Sequence, residues 1–309
     1  MPVSTKVWQQ KTLAFFEGYP KRVFIRRELA SVLEQEREHL GMPASLSLGR
    51  FIDFLEAHGR LVEVKIPSVS EHTEDDGPTD SAVDPPPGPY QPFSRYIWGE
   101  ASPFEVALSL RRGSYLSHAS AVFMHGLTQQ IVRTVYANKE QSPKPTADGT
   151  LIQSRIDVAF QRPPRRSNYV FIYRGTRLIL VNGKNTGNLE VSEVAGPAGQ
   201  PYPTTKLERT LIDITVRPEY AGGVFEVLEA FRGARERASV PTMIATLKRL
   251  QYVYPYHQAL GFYLQRAGFS NAAVERLRAL GLHYDFYLTY KMPAPQYDPT
   301  WRIYYPMGL

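Results

Sequence analysis

The sequence predicts an α+β protein, with an N-terminal winged helix-turn-helix followed by a C-terminal α/β domain whose last part is helical. Three observations lead there. Residues 1–66 read helix, short strand, two helices, strand, the element order of a winged helix. Between residues 130 and 181 lie several β-branched runs bounded by Gly and Pro, as strands are. From Thr205 to Leu280 apolar residues recur at helical spacing, segment after segment.

The first helix is expected from Ser4 to Glu17, with Trp8, Leu13, Phe15 and Phe16 apolar and Gly18-Tyr19-Pro20 as its break. Val23-Phe24-Ile25 is a short apolar run. A second helix runs from Arg26 or Arg27 to Leu40, with Leu29, Val32, Leu33 and Leu40 inward. Ser45 or Ser47 opens a third helix to His58, whose Leu48, Phe51, Ile52, Leu55 spacing gives one buried face. Leu61–Ile66 alternates like a strand, and Arg95–Trp98 is its expected partner. Between them, residues 67–92 hold Glu71, Glu74, Asp75, Asp76, Asp80 and Asp84, no Lys or Arg, and many Pro and Ser. That composition predicts a disordered wing tip.

If this is a winged helix, the third helix is the recognition helix. Ser45, Ser47 and Arg50 lie at its N-terminal end, where such helices meet base edges. Lys21, Arg22, Arg26 and Arg27 suit phosphates beside the groove. Residues 1–66 carry ten Lys/Arg against eight Asp/Glu, so the module is barely basic. A winged helix used for protein contact remains the other reading. The domain is expected to cover residues 1–99, and the C-terminal domain 100–309.

Pro103–Arg111 predicts a short helix. Ser114–Thr128 begins polar and becomes a compact helix from about Ser117, which Gly126 ends. His118 and His125, seven apart with no third ligand, read as structural or polar-cap residues rather than metal ligands. Strands follow at Gln130–Ala137, Leu151–Phe160, Tyr169–Tyr173 and Thr176–Val181, with Asn182-Gly183 a tight turn before Leu189–Val191. Arg162, Arg165 and Arg166, on the Pro-containing loop after Phe160, form the densest basic patch. They are candidates for nucleic-acid or partner contact, or the solvated tip of a hairpin.

Thr205–Val216 is expected to be helical. Thr204 or Thr205 with Glu208 would be its capping box, and Arg209–Asp213 an ordinary i,i+4 salt bridge. Helices are expected at Val224–Arg237, Pro241–Leu250, Tyr256–Arg266 and Asn271–Leu280. Short aromatic strands at Tyr284–Tyr290 and Trp301–Tyr305 close the chain.

Two blocks carry a family resemblance. Tyr115 to Thr128 (YLSHASAVFMHGLT) resembles the (Y/I)-(L/I)-S-x-x-S-A-L-x-x-(H/Y)-G-L-T segment of AbiEi-type abortive-infection antitoxins. Thr204 to Gly223 (TTKLERTLIDITVRPEYAGG) resembles that family's second signature. The resemblance implies a DNA-binding antitoxin that represses its own promoter and antagonises a nucleotidyltransferase-type toxin, directly or indirectly. Two features depart from the family: the acidic insertion and the base-poor recognition helix.

Composition bounds the rest. No run is long enough to cross a bilayer, the N-terminus lacks a signal-peptide core, and there is no Cys, so a soluble cytoplasmic protein without a membrane partner is expected. Removing the insertion's −6 from the chain's +6 leaves +12, which suits a polyanion. No enzyme, metal or cofactor is expected. Asp157, Glu190, Glu193 and Lys206 lack the carboxylate-x-lysine strand of a metal-dependent nuclease. No phosphate-cradling Gly-rich loop, Gly-x-Ser-x-Gly elbow or nucleotidyltransferase Gly-Ser with paired acids appears.

Overall fold

The structure is a computed structural model that describes residues 4–70, 88–143 and 150–309. Among the described residues, helices and three sheets are both present, in agreement with the α+β class. Two compact units divide the chain: Met1–Arg112 with Asn168–Leu178, and Gly113–Ser167 with Ile179–Leu309. The expected boundary at 99/100 thus falls inside the first unit.

The first unit runs α1 (Ser4–Gly18), β1 (Val23–Phe24), α2 (Arg26–Gln35), α3 (Arg37–Leu40), α4 (Leu48–His58), β2 (Leu61–Ile66), β3 (Phe93–Trp98) and α5 (Pro103–Ser109). β3 is central in an antiparallel sheet of order β1-β3-β2, with Leu61 opposite Trp98 and Ile66 opposite Phe93. The core gathers Trp8, Phe16, Leu29, Leu33, Phe51 and Leu55 from the helices, at positions the helical spacing marked, with Trp98 from β3. The second predicted helix is two: the chain breaks at Glu36 (φ −97°, ψ 1°), and Gly41 ends α3 in the left-handed region. Arg37 then donates to the carbonyls of Pro43 and Leu46, fixing the turn into α4.

Arg95 is buried on β3 and donates to the Ser109 hydroxyl and carbonyl, which ties the end of α5 to the sheet. The insertion's two ends are structured, contrary to the expectation for 67–92 as a whole. The Val69 N–H donates to the Val170 carbonyl at 2.9 Å, Gly88 N–H to the Ser68 carbonyl, and Tyr90 stacks on Tyr169 at 4.3 Å. Pairing with a strand distant in sequence orders these ends, a contact that local composition cannot reveal. Residues 71–87, where all six acids lie, fall outside the described residues.

The second unit begins with β4 (Tyr115–Leu116), α6 (His118–Met124), β5 (Thr134–Asn138) and α7 (Gln153–Gln161). β6 (Val170–Tyr173) belongs to the first unit, and β7 (Thr176–Val181) starts there and ends in the second. Then come β8 (Val191–Ala195), β9 (Pro201–Thr205), α8 (Leu207–Val216), a 3-10 turn (Pro218–Ala221), α9 (Val224–Ala234), α10 (Val240–Leu250), α11 (Tyr256–Arg266), α12 (Asn271–Arg278), β10 (Phe286–Tyr287), β11 (Gln296–Asp298) and β12 (Ile303–Tyr305). Strand order is β7-β5-β4-β9-β8, and a small separate sheet runs β10-β12-β11.

Leu151–Phe160, predicted as a strand, contains a helix. Ile152, Ile156 and Phe160 stand four apart, and Ile156 and Phe160 are buried on one helical face. The arginine loop after it therefore joins a helix to a strand and is not a hairpin tip. The strand expected at Gln130–Ala137 begins only at Thr134, and Ile131 is 85% exposed. β9 was not anticipated, because its two prolines mask a strand that donates few amides.

Candidate functional site

The two signature blocks are about 80 residues apart in sequence and come together in the second unit. β4 pairs in parallel with β9, Leu116 opposite Thr204, so the first block's strand lies against the second's. The His125 ring nitrogen Nε2 lies 2.8 Å from the Thr205 carbonyl, and the Tyr136 N–H donates to Ser120 Oγ. α6 ends as predicted: Gly126 takes φ +66° and Leu127 N–H reaches back to the Val122 carbonyl.

His118 sits at the first position of α6 with φ +50°, a conformation that costs a β-carbon residue free energy. Its ring is enclosed, with Nδ1 2.9 Å from Ser117 Oγ and Tyr220 edge-on at 5.3 Å. Burial first, then the Arg217 and Arg209 charges, pushes its pKa down to about 3. It is a neutral, packed histidine at ordinary pH.

Beside it lies a buried polar network. Arg209 and Asp213 form a 2.7 Å ion pair, both about 5% exposed. Arg209 also donates to the Leu189 carbonyl at 2.9 Å. Burial raises the Asp213 carboxyl even against the pull of Arg209. Tyr115 Oη donates to Glu140 at 3.0 Å and accepts from Asn138 Nδ2 at 2.6 Å. Burial works to raise Glu140, but the hydroxyl and N–H of Thr186 and the N–H of Asn188 outweigh it and hold the carboxylate below its usual range. The Arg209–Asp213 pair, expected as an ordinary i,i+4 salt bridge, forms but is buried. It is an interior pair that joins α8 to the loop before β8, as spacing alone could not indicate.

The expected capping box is absent. Thr205 ends β9, Lys206 is the N-cap without a side-chain bond, and Glu208 instead accepts the Ser239 N–H at 2.8 Å, at the start of α10. Thr205 Oγ1 meets Thr210 Oγ1 at 2.8 Å. The second block's end steadies the arginine loop: Arg217 donates to the Arg165 carbonyl at 2.5 Å, and Tyr220 Oη accepts the Ser167 N–H at 2.8 Å. Glu219 pairs with Arg217 only at 3.9 Å, and burial raises its carboxyl.

In the first unit the predicted DNA-contact residues divide. Arg22 donates to the Phe16 and Glu17 carbonyls, where a cation complements the C-terminal end of α1. Lys21 pairs with Glu28 at 2.5 Å, and Glu28 also accepts the Ile25 N–H. Arg26 reaches Tyr96 Oη at 3.4 Å. Ser47 caps α4, its hydroxyl accepting the Arg50 N–H. Arg27, Ser45 and Arg50 are exposed, as are Arg162, Arg165 and Arg166 in the second unit. Of the acids weighed for a nuclease, Asp157 engages Gln153 and Tyr287 and Glu190 pairs with Lys206, while Glu193 is exposed. Among the described residues no three His, Cys, Asp or Glu gather as a metal site, and no helix is long and apolar enough to cross a membrane.

No protein-family model matches the chain, and no curated protein is similar to it in sequence. A solved structure is similar in fold. It is the crystal structure of the RV2827C protein from Mycobacterium tuberculosis, at a TM-score of 0.54 and 12% identity, covering 96% of this chain and 90% of that one. At that identity the likeness concerns the fold alone.

Proposed function

We propose that this protein is a DNA-binding antitoxin and transcriptional autorepressor, with a winged helix as its operator-reading unit and a nucleotidyltransferase-type toxin as the activity it antagonises. The observation that carries the reading is α4. Its Phe51, Ile52, Phe54 and Leu55 are buried while Arg50, Asp53 and Glu56 face outward, and the antiparallel β2-β3 pair follows it directly. Helix, strand, helices and β-ribbon in this order support a reading in which the N-terminal end of α4 meets base edges. The resemblance of both signature blocks to AbiEi-type antitoxins, and their close packing, support the antitoxin part.

Arg50→Ala then costs about 1–3 kcal/mol on the protein's own promoter and little on random duplex. Arg26→Ala weakens both duplexes alike. Fluorescence anisotropy with the two duplexes reads the difference. Loss of neither affinity would sink the operator-reading role.

One observation favours a second reading. The outward face of α4 carries two acids and one arginine, and Arg22 is taken up by α1. A first unit that serves protein contact, with no duplex affinity of its own, fits that charge. Duplex binding by the wild-type chain decides between the two.

A further inference from the structure

The loop Arg162 to Ser167 of the second unit is absorbed by neither the fold's core nor the α4 reading. It holds three arginines within five residues and no acid. All three are exposed, and among the described residues the guanidiniums of Arg162 and Arg165 have no hydrogen-bond or ion-pair partner. The backbone, in contrast, is fixed along its length. Arg162 N–H bonds the Ala159 carbonyl, Arg217 holds the Arg165 carbonyl, Tyr220 Oη takes the Ser167 N–H, and Ser167 Oγ donates to the Leu180 carbonyl at 2.5 Å. Pro163 and Pro164 set their own φ angles, and Arg162 is extended at φ −85°, ψ 157°.

We infer that this loop is a phosphate-binding ridge, through which the second unit grips the backbone of duplex DNA. At roughly 3.1 Å per residue, an extended chain sets the Cα atoms of Arg162 and Arg165 about 9 Å apart. Long guanidinium arms from those points span neighbouring phosphates of one strand, and the planar fork binds phosphate oxygens in pairs. A pre-formed backbone lowers the ordering cost of binding. The loop offers no aromatic or long aliphatic side chain of the kind that anchors a protein interface, so charge is what it has to give. Arg217 and Tyr220, both in the second signature block, act as its braces. The inference rests on the proposed DNA binding and adds a second contact surface to it.

The test uses the full chain and a duplex of its own promoter, with affinity measured from 50 to 200 mM salt. Replacing Arg162, Arg165 and Arg166 by Ala lowers the slope of log affinity against log salt by about 2 to 3, since each phosphate contact contributes about 0.9. Over that salt range the wild type therefore loses about 40-fold more affinity than the variant. Replacing the same three by Lys retains the slope, because the charges remain. Circular dichroism confirms that both variants fold. A wild-type slope in the Ala variant overturns the ridge alone, even if that variant then fails to hold an acidic protein. Absence of duplex binding by the wild type overturns the ridge together with the proposed function.

Discussion

His118 makes the second unit sensitive to acid in a way that can be worked out from its surroundings. Its imidazole is buried between Ser117, Tyr136 and Tyr220, with the charges of Arg217 and Arg209 nearby. The ring therefore takes a proton in the folded chain only near pH 3, against an ordinary value of 6.5. Between those values the unfolded chain binds the proton and the folded chain does not. Stability supplied by the neutral ring is thus complete above pH 6.5 and falls as pH drops towards 3. At about 1.4 kcal/mol per pH unit the loss approaches ~5 kcal/mol, and about 2.7 kcal/mol is gone by pH 4.5. His118→Asn removes the titration while tolerating the left-handed backbone at this position. Urea melts of both proteins at pH 7.0, 5.5 and 4.5 should show the wild-type advantage shrinking by that amount. The Asn variant cancels the contributions of Glu140, whose depressed pKa acts in the same direction, and of Asp213, whose raised pKa acts in the opposite one. A difference independent of pH, with a His118 ring resonance titrating near 6.5, would refute the reasoning.

Two further outcomes follow from the interior. Asp213→Asn leaves the Arg209 guanidinium buried without its counter-charge and should lower stability by about 3–5 kcal/mol in urea melts, whereas Arg209→Met with Asp213→Leu should recover much of it. Gly261→Ala on α11 brings a Cβ onto the ring of fully buried Trp301. The clash should outweigh the roughly 1 kcal/mol of helix propensity that Ala offers and give a net loss of about 1–3 kcal/mol, read as a lower melting temperature.

Helices with a continuous apolar stripe were legible from the sequence. Tyr256–Arg266 matches α11 residue for residue, and the Leu48, Phe51, Ile52, Leu55 stripe located α4. The strand Leu61–Ile66 and its partner at Arg95–Trp98 were legible too, across a long insertion, because Leu61–Ile66 alternates and the winged-helix element order calls for a second strand beside it. The signature blocks could be recognised as blocks, yet nothing local indicated that Leu116 would lie opposite Thr204.

What the sequence by itself determined is the set of elements whose burial pattern repeats within a dozen residues, together with the charge split and the absence of thiol chemistry. Tertiary structure alone decided how the short or ambiguous pieces were used. Ile152, Ile156 and Phe160 fit a strand or a helix until one face met a core. Arg209 and Asp213 look like any surface pair until α8 is covered on both sides. Arg22 is only a cation in the sequence, and packing brings it within 3.1 Å of the C-terminal carbonyls of α1. In each case a charged or apolar side chain has several partners it could satisfy, and only packing determines which of them is within reach.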